Sequence, residues 1–85
     1  MSEMQVGRVT RYFGKAGVAA VEIQAGDLHI GDTIHIRGKT TDFSQVVESM
    51  QLEHEVIQTA NPGQLVGIKI QERVREHDLV YKVVP

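Results

Sequence analysis

The chain has 85 residues, with nine Lys and Arg against eleven Asp and Glu, a formal net charge of -2 and no cysteine. That length makes one domain over residues 1–85, since two halves would each be too small to bury a useful core. The charge balance excludes whole-molecule attraction to nucleic acid or an anionic membrane, and the absent thiols exclude disulfides and thiolate zinc sites.

Met1-Ser2-Glu3-Met4-Gln5 lacks the basic and apolar segments of a secretory signal, and no apolar run has the length that crosses a bilayer. A cytoplasmic, membrane-free protein is therefore expected. Apolar residues nowhere recur at helical spacing over a helical length, while Val, Ile and Thr are abundant and glycines punctuate the chain. The expectation is all-β.

Val6 to Phe13 reads as a first strand of mixed parity, turned by Gly14-Lys15-Ala16-Gly17, in which either glycine can take positive φ. The partner strand, Gly17 to Gln24, places Ala19, Val21 and Ile23 on one face. Ala25-Gly26-Asp27 and Gly31-Asp32 are turns. Thr33 to Arg37 then sends Ile34 and Ile36 inward and His35 and Arg37 to water.

Gly38 to Phe43 reads as a polar hairpin tip. From Ser44 to about Glu53 runs a long segment whose apolar residues, Val46, Val47, Met50 and Leu52, share no single parity, so one bulge is predicted within it. Val56-Ile57 is a short strand. Asn61-Pro62-Gly63 is a turn in which Pro62 fixes φ and Gly63 suits a type II bend. Val66, Ile68 and Ile70 alternate inward with Gly67, Lys69 and Gln71 outward, Gln71 to Asp78 is a charged connection, and Leu79 to Val84 is the last strand. Six or seven such strands suit a small closed antiparallel β-barrel, because closure removes unpaired edges.

Chemistry-bearing motifs are sparse. Gly38-Lys39-Thr40 matches the end of a phosphate-binding loop, but position 33, where that loop needs its first glycine, is threonine, and Ile34 to Arg37 reads as strand. A plain hairpin tip is expected there. His29, His35, His54 and His77 fail zinc-site spacing, and Glu53 and Glu55 beside His54 point to the face opposite it. Neither serines nor carboxylates occur in an activated setting. No catalytic residue, cofactor or metal is expected. The residues left for binding are two basic groups, Arg37 with Lys39 and Lys69 with Arg73 and Arg75; Arg8 and Arg11 lie on the first strand, and Tyr12 or Phe43 could offer a stacking face. Phe43 has a second reading, as a cap on one end of the barrel.

Gly7-Arg8-Val9, Leu28-x-x-Gly31-Asp32-x-Ile34, Val47-Glu48-Ser49-Met50 and Ala60 to Ile68 follow one another in an order that resembles the domain 2 β-barrel of translation GTPases such as elongation factor Tu and initiation factor 2. Tyr12-Phe13-Gly14-Lys15 and Lys39 to Phe43 are similar to short translation elongation factor-like proteins and to the C-terminal barrel of collagenase-like peptidases. The resemblance implies a barrel without the GTPase domain. It also implies a non-enzymatic module that docks on RNA or a ribonucleoprotein, with no DNA expected. The alternative it carries is a protein-interaction or accessory domain working with a separate collagenase-like peptidase subunit. The family's closing motif has Gly-Asp before the last strand, where this chain has His77-Asp78.

Overall fold

The computed structural model describes residues 2–85. Ten strands follow one another: β1 (Ser2–Phe13), β2 (Val18–Ile23), β3 (Leu28–His29), β4 (Thr33–Arg37), β5 (Asp42–Val46), β6 (Met50–Leu52), β7 (Glu55–Ile57), β8 (Thr59–Ala60), β9 (Leu65–Lys69) and β10 (Leu79–Val84). Eight form one antiparallel sheet in the order β5-β4-β10-β1-β2-β9-β6-β7, and β3 pairs with β8. Among the described residues no helix is long and apolar enough to cross a membrane.

Alternation explains the best-formed strands. Ala19, Val21 and Ile23, then Ile34 and Ile36, then Val66, Ile68 and Ile70 all face the core as their parity predicts. β1 solves its mixed parity with two irregularities. Its register shifts between Gln5 and Gly7 against β10 and between Val9 and Arg11 against β2, so Val6 and Val9, three residues apart, are both fully buried. Thr10, the extra residue of the second shift, donates its hydroxyl to the Ala20 carbonyl at 3.2 Å.

The fully buried side chains are aliphatic, led by Ile23, Leu28, Ile34, Ile36, Met50 and Ile68, with Tyr12 and Phe43 packed against them from outside. Phe43 opposes Ile36 across β4–β5 and is only partly buried. It packs on the core from the β4–β5 side of the sheet. Val74, in the charged connection before β10, also reaches the core.

The bulged strand predicted over Ser44 to Glu53 is corrected to two strands with a break at 47–49. One inserted residue could not serve all four apolar groups. Val47 leaves β5 and is buried by a separate pairing, donating to the Asp32 carbonyl and accepting from the Gly31 N–H at 2.8 and 2.9 Å. β6 then turns into β7 through Glu53-His54, both at positive φ (50° and 68°), which is the two-residue type I′ geometry. Asn61 to Gln64 forms the expected turn, with Gly63 at φ 91° and the Gln64 N–H bonded to the Asn61 carbonyl at 3.2 Å.

A closed barrel is not found. Among the described residues the sheet ends in β5 and β7, and no ladder joins those ends. One side chain of the edge strand β5 reaches the end of β9. Gln45 of β5, only 6% exposed, donates to the Lys69 carbonyl at the end of β9 at 2.8 Å and accepts from the Gln71 N–H at 2.7 Å.

Candidate binding cleft

The last residue of β4, Arg37, opposes Asp42 at the start of β5, and the four residues between them form a tight tip closed by the Gly38 N–H on the Thr41 carbonyl at 2.8 Å. Gly38-Lys39-Thr40 is therefore a hairpin tip. A second turn, Arg75 to Asp78, lies against it. The Asp78 carboxylate, 4% exposed, accepts from the Arg75 N–H at 2.9 Å and fastens that turn. The close approach explains Gly38: a Cβ there would stand 1.9 Å from Asp78 Oδ1.

His77 carries the bend into β10 at φ 75°, a left-handed conformation that glycine adopts freely and histidine does not. Reciprocal bonds hold the bend, from the His77 N–H to the Val9 carbonyl and from the Val9 N–H to the Asp78 carbonyl, both 2.8 Å.

Between the two turns lies a cleft of about 450 Å³, lined by Arg37, Gly38 and Lys39 on one side and residues 75–79 on the other. Arg37, Lys39 and Arg75 are exposed, and among the described residues none of them makes an ion pair. The Arg37 guanidinium stands 5.9 Å from the centre of the Tyr81 ring. Two acids share the lining, Glu76 and Asp78, and the Asp78 carboxylate is hydrogen-bonded to the Arg75 N–H.

The two basic groups read from the sequence are thus regrouped. Arg75 joins Arg37 and Lys39, while Lys69 lines a separate recess of about 170 Å³ with Gln45, Glu48 and Gln71, and Arg73 lines neither. Arg8 is paired with Glu22 at 3.2 Å, and Arg11 lies over Phe13 at 5.7 Å. Sequence spacing could not show this, because the turn that brings Arg75 across is set by its bonds to Val9.

Two polar clusters escaped the sequence reading. His35 of β4 is held between Glu3 of β1, 2.7 Å from Nδ1, and Asp42 of β5, at Nε2. Hydrogen bonds donated to Asp42 and then to Glu3 raise the imidazole above its usual pKa against the opposing effect of burial, and the same ring lowers Asp42. Elsewhere Lys82 reaches Asp32 at 3.3 Å and Asp27 at 3.4 Å, and these carboxylates outweigh burial to raise the ammonium pKa. His29 links Asp27 (2.9 Å, Nε2) to the Thr59 hydroxyl (3.0 Å, Nδ1), and the His29 and Lys82 bonds lower Asp27. Among the described residues no three His, Asp or Glu side chains are grouped to hold a metal ion.

No family model matches the chain. It is 45% identical over 80 residues to an uncharacterized protease of Methanocaldococcus jannaschii, covering 93% of this chain and 19% of that protein. It is 41% identical over 81 residues to a collagenase of Porphyromonas gingivalis, covering 94% and 20%. Over this segment the chain is similar to collagenase-like proteins. It spans about a fifth of the length of these curated relatives. The C-terminal domain of a Geobacillus thermoleovorans protein described as a U32 peptidase shares the fold, with TM-scores of 0.85 and 0.87 in two crystal structures, 24% identity and coverage of 91% and 94% of this chain and 96% and 92% of theirs. These relatives lend no support to the resemblance to translation GTPases. The residues that carried it are turn and core builders, such as Gly31, Pro62 and Gly63, which transfer a fold and little else.

Proposed function

We propose that this chain is a non-enzymatic accessory domain that works with the catalytic part of a collagenase-like protein, in the same polypeptide or as a separate subunit. One observation carries the reading. More than nine-tenths of the chain aligns with a segment that makes up only about a fifth of proteins named as proteases, which is what a shared domain outside the catalytic body looks like. The chemistry agrees with it. Thr59, His29 and Asp27 do line up as hydroxyl, imidazole and carboxylate, yet neither cleft described above includes them, and a nucleophile needs a substrate site and oxyanion donors beside it.

On the same reading the sheet rolls toward a barrel, with Gln45 tying the edge strand β5 to the end of β9. The test is affinity purification from the native host. A peptidase-like protein co-purifying in stoichiometric amount supports the accessory role; ribosomal components alone would favour the RNA-docking role suggested by the translation-factor resemblance. RNA docking predicts binding that weakens steeply as salt rises.

A further inference from the structure

Arg37, Lys39 and Arg75 are three of only nine Lys and Arg in a chain of net charge -2, and all three meet on one rim with no ion pair among the described residues. Like charges sharing a rim repel, so the arrangement is most stable with an anion between them. The acids nearby offset this only in part. Asp42, opposite Arg37, is shared between that guanidinium and His35, and the lining itself holds two acids, Glu76 and the Asp78 carboxylate beneath the rim, against three cations.

Size and lining decide what kind of anion. The volume of about 450 Å³ falls in the range of ligand clefts. Beside the charged residues and His77 the lining includes Leu79 and Gly38, surface that a bare phosphate would leave unused. No Phe, Tyr or Trp lines the cleft: Phe43 packs on the core and the Tyr81 ring lies beside the Arg37 guanidinium. Among the described residues His77 is the one ring that lines the cleft, so a nucleic acid would find phosphate partners there but a single small stacking face.

We infer that this cleft binds an acidic peptide segment of a protein partner, its carboxylates on Arg37, Lys39 and Arg75 and its apolar side chains against Leu79. The inference rests on the accessory-domain reading, in which the partner is a protein. Arg37 and Arg75 can each take a carboxylate in a two-point hydrogen bond, and Lys39 adds a mobile charge at the tip.

The experiment is amide NMR mapping of the whole chain with an alternating Glu-Leu hexapeptide, compared with the same peptide carrying Gln for Glu, with inorganic phosphate and with hexauridylate. The Glu-Leu peptide is expected to shift the amides of residues 37–39 and 75–79 saturably, with affinity falling on the order of tenfold between low and physiological salt. K39E/R75E should abolish those shifts while the rest of the spectrum stays native, and the milder K39Q/R75Q should weaken them if the reversal variant fails to fold. Equal shifts from the Gln peptide, equal affinity for phosphate, tighter binding of hexauridylate, or no localised shift at low salt would each overturn the inference. Failure is separable from failure of the accessory role. A co-purifying peptidase-like protein with no peptide binding removes the cleft alone, and peptide binding without that partner removes the broader reading.

Discussion

The Gln45 side-chain carbonyl accepts the Gln71 backbone N–H at 2.7 Å, joining the sheet's terminal strand β5 to the chain just beyond β9. Its amide nitrogen donates to the Lys69 carbonyl two residues earlier, so one buried side chain satisfies both a donor and an acceptor that no strand reaches. Gln45→Leu fills similar space and leaves both backbone groups without their partner. A loss of about 2–4 kcal/mol is expected, from two polar groups at roughly 1–2 kcal/mol each. Urea denaturation measures it. A loss under about 0.5 kcal/mol would mean that water replaces the amide and that Gln45 does not tie β5 to the end of β9.

The bend at His77 makes a prediction of opposite sign. A left-handed non-glycine residue costs roughly 1–2 kcal/mol, part of which glycine gives back through its freer unfolded chain. His77→Gly should therefore stabilise by up to about 1 kcal/mol, whereas His77→Val, branched at Cβ, should destabilise by more than about 1 kcal/mol. Thermal melts of the two variants beside the parent check both signs. The same order for both would show that the bend is not set by φ at position 77.

How much of this could be read from the chain depends on the range of the interaction. Alternation is local, so the inward sets of β2, β4 and β9 were legible, and so was the Pro62-Gly63 turn, because its residue types dictate its φ values. The β6–β7 hairpin was not, because Glu53 and His54 give no Asn-Gly signal for a type I′ turn, and Ser44 to Glu53 therefore read as one strand. Buried Gln45 and Asp78 look like surface residues in one dimension, and only their distant backbone partners explain them. The cationic rim was half legible. Arg37 and Lys39 stand two residues apart, but Arg75 arrives by a turn bonded to Val9, and the same turn leaves Arg73 and Lys69 outside.

His35 and Asp42 give the molecule one pH-dependent contribution to stability. Both partners of His35 are acceptors when ionised, so both ring nitrogens donate only when the imidazole is protonated. Its folded pKa lies above the ordinary 6.5, so its contribution is complete below that value and is lost as pH rises through the folded pKa. Asp42 shifts the other way, and its contribution is present above 3.8 and lost as pH falls through its lowered folded pKa. The stabilising window therefore runs from about pH 4 to somewhat above pH 6.5. Denaturation of the parent and His35→Gln at pH 5.5 and pH 9 (about one unit or more to either side of the ordinary value) should show a parent advantage that is larger at pH 5.5. An advantage that is flat or grows with pH would exclude a charged clamp.

The Glu53-His54 turn offers the cleanest test of backbone strain, because it lies away from the cleft and both residues are exposed. Both hold positive φ in a two-residue connection whose twist suits the flanking strands only in the type I′ form. Asn at the first position tolerates that region through its short polar side chain, and Gly at the second meets no Cβ penalty. The pair E53N/H54G should stabilise by about 1 kcal/mol, less than the summed strain because the new glycine also gains unfolded-state entropy. The gain should appear mainly in the unfolding rate if the hairpin forms late, and in the folding rate if it belongs to the nucleus. Equilibrium and stopped-flow denaturation of the double variant separate those cases. A destabilised variant would show that Glu53 or His54 makes a contact worth more than the strain it bears.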